Sequence, residues 1–171
     1  YVTDLCSFTT QSKNPKINFV VQSSSTKIPF TKKSIDTFIF SMVLHHLNKK
    51  QQKEMIKNLI SYLKKNGKII IIEDTFPEKI NLKGYDKITQ DFLKFNVRDK
   101  KRVLSFYDWF GNKLMRNRDN IPLFYNHKTM EEWKKLFWEY GIKQIKSEFV
   151  KWDKSNPDLF PPKAIIVFQK D

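Results

Sequence analysis

The 171 residues carry a formal net charge of +14, with 40% hydrophobic and 15% aromatic content, which supports one sizeable core and a single domain or most of one. A single cysteine, Cys6, excludes an internal disulfide framework and suits a reducing compartment. No apolar run approaches the roughly 20 residues of a membrane span, and the first residues lack a basic-then-apolar signal pattern, so a soluble cytoplasmic protein is expected.

The positive charge raises nucleic acid as a partner. It is nearly all lysine spread along the chain, however, with guanidinium only at Arg98, Arg102, Arg116 and Arg118. Readers of bases and phosphates favour the arginine fork, so solvated lysine faces are the preferred reading.

In chain order, Tyr1 to Leu5 reads as the end of a strand, and Ile17 to Gln22 as a short β-branched and aromatic strand bounded by Pro15 and a serine cluster. Ser34-Ile-Asp-Thr-Phe-Ile-Phe-Ser-Met-Val-Leu-His-His-Leu47 reads as a buried strand running into a loop with two histidines. From Asn48 to Asn66, Met55, Ile56, Leu59, Ile60, Tyr62 and Leu63 fall at the helical period, and Gly67 is expected as a left-handed stop. Gly67-Lys-Ile-Ile-Ile-Ile-Glu-Asp74 is a second buried strand. Strand, helix and strand make one βαβ unit, whose carboxyl ends would bring Ser41 to His46 beside Glu73 and Asp74.

An aromatic insert over residues 78–126 follows. Tyr85, Ile88, Phe92 and Phe95 suggest one helix, and Val103, Phe106, Tyr107, Phe110 and Leu114 a second, with a polar break from Arg98 to Arg102. Arg116 to Pro122 is a loop by its Asn, Asp and Pro content. Thr129-x-x-Glu132 is a capping box that opens a helix carrying Trp133, Leu136, Phe137 and Tyr140, with Gly141 as its stop. Ile142 to Val150 and Ala164 to Phe168, joined without a helix through Pro157 and Pro161-Pro162, should pair antiparallel.

Several side chains in this plan carry chemistry. His45 or His46 can serve as a general base toward a substrate hydroxyl or amine. The alternative for His46 is a cap on the following helix. Glu73 and Asp74 can orient or deprotonate a substrate, or form a solvated turn before Pro77. No metal site is expected, because adjacent histidines should point apart and no cysteine lies near.

Lys27-Ile-Pro-Phe30, the Ser34 to Leu47 segment, Leu63-Lys-Lys-Asn-Gly-Lys-Ile-Ile-Ile-Ile-Glu-Asp74 and the hairpin around Pro161-Pro162 together resemble the later two-thirds of a class I S-adenosylmethionine-dependent methyltransferase, of the group acting largely on small molecules. The resemblance implies an α/β fold: a Rossmann-like, mostly parallel sheet with helices on both faces, an antiparallel C-terminal hairpin, and the insert as a lid. It implies one domain over 1–171, incomplete at its amino end, because such enzymes begin with a strand and a glycine-rich turn and no glycine precedes Gly67.

It also implies S-adenosylmethionine as cofactor. Asp4 would hold the ribose, Ser24 or Ser25 the adenine where the family usually carries aspartate, and Ser41 with Met42 the methionine moiety. His45 and Asp74 are the implied catalytic residues. His46, Glu73, Trp109, Asn112 and Tyr125 are the implied substrate contacts. The activity so implied is methyl transfer to a small-molecule O, N or C nucleophile, with an RNA methyltransferase or a non-catalytic binding domain as alternatives.

Overall fold

A computed structural model describes the backbone of residues 2–4 and 19–21 and, with side chains, residues 28–152 and 161–171. Strands β1 (Val2–Asp4) and β2 (Phe19–Val21) form within the two expected runs and pair in parallel.

The βαβ unit forms, but its first strand is not the buried strand expected: among the described residues its side chains are half-buried or exposed, Ile39 to 65%. β3 (Ile35–Ser41) lies parallel to β4 (Leu63–Asp74), with Ser41 opposite Ile72. The crossover is α1 (Lys49–Tyr62), which starts where Asn48 accepts from the Gln51 amide and the Gln51 side chain returns a bond to Asn48. This reciprocal cap satisfies two otherwise orphaned donors. It also removes the capping role considered for His46.

The helix ends at Tyr62, four residues before the expected Asn66, and the left-handed residue is Asn66 (φ 61°) rather than Gly67. Gly67 serves a different need. A Cβ there would lie 2.9 Å from both Leu63 Cδ2 and the Lys64 carbonyl oxygen, so the bare backbone is required by close approach.

The insert folds as α2 (Lys87–Lys94), capped by Asp86, and α3 (Val97–Trp109), capped by Asn96, which runs into a π-helical turn over Phe110–Met115. The polar stretch Arg98 to Arg102 is therefore not a break. It lies inside α3, and the break falls at Phe95 and Asn96. A charge run can be the outer face of a helix as readily as a loop, and here the cap decides.

After the insert, α4 (Met130–Trp138) carries the expected Thr129–Glu132 capping box, and Gly141 follows at φ 74°. β5 (Ile142–Val150) and β6 (Lys163–Lys170) form the antiparallel hairpin. β6 inserts between β4 and β5, giving the order β3-β4-β6-β5.

Alternation along β4 and β6 sends Ile69, Ile71, Ala164, Ile166 and Phe168 to one face, where α1 contributes Met55, Ile56 and Leu59, and α4 contributes Trp133, Leu136 and Phe137. Phe137 stacks on Phe168 with ring centroids 4.0 Å apart. A second cluster of Phe76, Phe92, Leu93, Leu104 and Trp152 fixes α2 and α3 beyond the end of β4. Among the described residues, no helix is long and apolar enough to cross a membrane.

Candidate active site at the carboxyl ends of β3 and β4

Where β3 ends, the chain turns sharply. Met42 adopts φ 56°, unusual for a side chain of its size, while its amide still donates to the Ile72 carbonyl (2.8 Å). The turn aims the next two amides, Val43 and Leu44, at one oxygen of Glu73, at 3.0 and 2.8 Å. The other Glu73 oxygen lies 2.5 Å from His45 Nδ1. Gln52 of α1 donates to the Leu44 carbonyl (2.8 Å) and pins the loop from its far side.

Glu73 shares a face with Ile71 and is fully buried, whereas alternation turns Asp74 the other way, toward Lys163 on β6 at 3.9 Å. Adjacent in sequence, the two carboxylates have separate partners.

α3 supplies a third carboxylate. Asp108 Oδ1 accepts from Asn112 one turn later (2.8 Å) and lies 3.6 Å from His45 Nε2 and 3.8 Å from His46 Nε2. Its Oδ2 is buried and has no hydrogen-bond partner among the described residues. His127 completes the cluster, stacked on His45 with ring centroids 5.0 Å apart. Its segment is fixed by Thr75, which donates to the Lys128 carbonyl (2.6 Å).

The electrostatics follow from this packing. Burial opposes a charge on His45, but the Glu73 carboxylate and Asp108 outweigh it and push the imidazole up to about 10. Burial works in the same sense against Glu73, yet His45 and the two loop amides hold its carboxyl below the ordinary range. Asp108 is likewise buried and likewise held low by His45 and His46. His46 is pushed down by burial and by the charge on His45, and His127 by the same two causes to about 4. Asp74 is raised to about 7 by burial.

These states set the condition under which each expected role would operate. His45 is 2% exposed, and Glu73 and Asp108 favour its charged form in the free protein, so a base role would require that proton to leave first. Asp74 is raised to about 7 by burial, and the charges of His45, Glu73 and Asp108 all act on it. Glu73 is an anchor for His45 and the loop rather than an exposed substrate contact.

Asn112 is buried beside Asp108, whereas the Trp109 ring packs near Phe106 (6.0 Å) and Tyr125 is exposed. The rings of His45 and His46 do not diverge; their centroids are 4.1 Å apart. Ser41 and Met42 stand at the strand end as expected. The side chain of Asp4, and Ser24 and Ser25 entirely, lie outside the described residues.

Sequence reasoning missed Asp108 and His127. Asp108 is the lone carboxylate in Phe106-Tyr-Asp-Trp-Phe110, and a charge inside an aromatic run signals a buried partner. His127 is one of only three histidines and lies two residues before Thr129, the α4 cap.

A mixed sheet with a parallel β3–β4 pair, an inserted antiparallel last strand and polar groups collected at the strand ends is a Rossmann-like architecture. Residues 3–71 match the family model described as a methyltransferase domain. Isoflavone 4'-O-methyltransferase of Medicago truncatula is 25% identical over 151 residues, covering 86% of this chain and 34% of that protein.

Among solved structures, LepI in complex with SAM superposes with a TM-score of 0.54 at 14% identity, over 90% of this chain and 30% of that one. The Burkholderia thailandensis 1,6-didemethyltoxoflavin-N1-methyltransferase, solved with its substrate and S-adenosylhomocysteine, gives 0.53 at 11%, over 89% and 51%. The chain thus spans about a third of the length of the curated relative. The amino-terminal part of the chain thus matches a methyltransferase domain, and the fold is one shared with S-adenosylmethionine-dependent methyltransferases of known structure.

Proposed function

We propose that this chain forms the acceptor side and part of the donor side of a cytoplasmic methyltransferase that moves a methyl group from S-adenosylmethionine to a small-molecule nucleophile. The observation that carries the reading is the polar cluster of His45, Glu73 and Asp108 set against the strained Met42 turn, at the strand ends where open parallel sheets bind ligands. The relatives that act on an isoflavone and on 1,6-didemethyltoxoflavin favour a small acceptor.

The donor set fits the cofactor in part. Ser41, with an exposed hydroxyl, and the backbone turn at Met42 would line its methionine end, and Asp4 with Ser24 or Ser25 would hold its ribose and adenine. When bound, S-adenosylmethionine supplies a methyl group already activated on a sulfonium. What remains for the protein is to align the nucleophile and exclude water.

Asp108 is suited to align it. Its buried Oδ2, without a partner among the described residues, is an ionised acceptor that takes a hydrogen bond from an acceptor O–H or N–H and receives its proton as the nucleophile becomes methylated. His45 keeps Asp108 charged, and Glu73 keeps His45 in place. His46, partly exposed and neutral, contacts the acceptor, and Asp74 is a reserve proton carrier near neutrality. The insert over residues 78–126 covers the site, with Asn112 holding Asp108, and Trp109 and Tyr125 closing on the acceptor.

The test is methyl transfer from labelled S-adenosylmethionine to a panel of phenols and amines by the full-length protein. Asp108→Asn should lower turnover about 100-fold or more while leaving S-adenosylhomocysteine affinity within about threefold. An Asp108→Asn protein as active as wild type would remove Asp108 from the acceptor role.

A further inference from the structure

The geometry points to a divalent transition-metal site, zinc by its ligand set, formed by His45 Nε2, His46 Nε2 and Asp108 Oδ1. It goes beyond the methyl-transfer reading and stands without it.

One donor atom from each of the three side chains lies within 4.8 Å of the other two. The His45–Asp108 separation of 3.6 Å and the His46–Asp108 separation of 3.8 Å are too long for hydrogen bonds. They lie a few tenths of an ångström above the roughly 3.4 Å between neighbouring ligands on a tetrahedral centre with bonds of about 2.0–2.2 Å. Two imidazoles and a carboxylate form a set that such ions accept once His45 releases its Nε2 proton to solvent on binding, and three protein ligands leave one position open.

Two further observations point to a ligand. Asp108 and His45 each have side chains 2% exposed, yet the Asp108 carboxylate keeps one buried oxygen with no partner among the described residues. Buried polar groups are seldom left so. The outer shell is also in place. Glu73 lies 2.5 Å from Nδ1, the His45 nitrogen that does not face the site, in the carboxylate–histidine arrangement that orients a metal-bound imidazole. Asn112 orients Asp108, and His127 stacks on the face of His45. A cation there would face the same strand-end crevice as Ser41 and Met42, so an acceptor oxygen in the open position is the use that the methyl-transfer reading would give it.

The experiment is titration of the metal-stripped full-length protein with Zn²⁺ by calorimetry, repeated with Co²⁺ by absorption spectroscopy, with no methyl donor present. One ion per chain is expected, with the strong visible bands of a four-coordinate Co²⁺ centre. His46→Ala and Asp108→Asn should weaken binding about 100-fold and Glu73→Gln about 10-fold. Should a variant fail to fold, zinc-edge X-ray absorption of the wild type decides, with two imidazoles and an oxygen ligand expected. Absence of stoichiometric binding, binding indifferent to Asp108→Asn, or a six-coordinate aquo-like spectrum would overturn the site. Because no donor is used, failure here leaves the methyl-transfer reading intact, and a failed donor-binding experiment leaves the metal result intact.

Discussion

Glu73 and His45 are 28 positions apart in the chain and 2.5 Å apart in the fold, both essentially without solvent exposure. One carboxylate oxygen meets the ring and the other accepts two amides of the loop that carries the ring, so a single side chain sets both the loop and the charge of the site. Glu73→Gln keeps the shape and removes the charge, leaving an imidazolium without its counter-ion. The expected loss is about 3–5 kcal/mol in urea unfolding, as for other buried pairs that lose one partner. A loss under about 1 kcal/mol would mean that the pair is not ionised.

The same pair predicts a pH profile. Glu73 is held below its ordinary range, so its contribution is present above the unfolded carboxyl value and is lost as pH falls through the native one. His45 is raised to about 10, so its contribution is full below about 6.5 and disappears as pH rises toward 10. Stability should therefore fall on the alkaline side between about pH 6.5 and 10. His45→Gln should flatten that limb in thermal melts from pH 6 to 10.

Asp74 works in the opposite sense to an ordinary native carboxylate. Raised to about 7 by burial, it favours folding only while protonated, and that contribution is lost between about pH 4 and 7. Asp74→Asn should therefore match wild type at pH 4 and exceed it in stability at pH 8. Lys163, 3.9 Å away, offsets part of the effect, so Lys163→Ala should enlarge the difference.

Gly67 and Asn66 separate two reasons for a small residue. Gly67→Ala puts a Cβ 2.9 Å from the Lys64 carbonyl and should cost about 1–3 kcal/mol. Asn66→Gly relieves a φ of 61° and should be neutral or stabilising. Denaturation midpoints of the two variants are the check, and equal destabilisation by both would contradict the assignment.

This contrast also marks what the sequence made legible. The parallel pair, its crossover, the Thr129 cap and the closing hairpin follow from local patterns: the 3.6-residue stripe of α1, the β-branched run of β4 and the cap residues. Gly67 was visible as important but not for the right reason, because a clash with Leu63 is tertiary. The insert was harder. The α3 stripe was clear, but its start depended on whether Asn96 caps, and the run Arg98 to Arg102 looked the same as a loop and as a solvent face.

The site shows the same division. The strand-end loop and Glu73 were legible because a βαβ unit must bring them together. Asp108 and His127 arrive from α3 and from the segment before α4, whose docking is decided by Phe76, Phe92 and Trp152 packing beyond the sheet. The state of His45 then followed from those partners, and no local pattern encodes it.

The central claim is that the strand ends of this chain form a methyl-donor site with the His45–Glu73–Asp108 cluster on its acceptor side. Its most direct test is calorimetric titration of the full-length protein with S-adenosylhomocysteine, wild type and Ser41→Trp. The account predicts one site per chain of micromolar affinity, lost when the tryptophan fills the space beside the Met42 turn. No binding by the full-length wild type, or binding unchanged by Ser41→Trp, would contradict it.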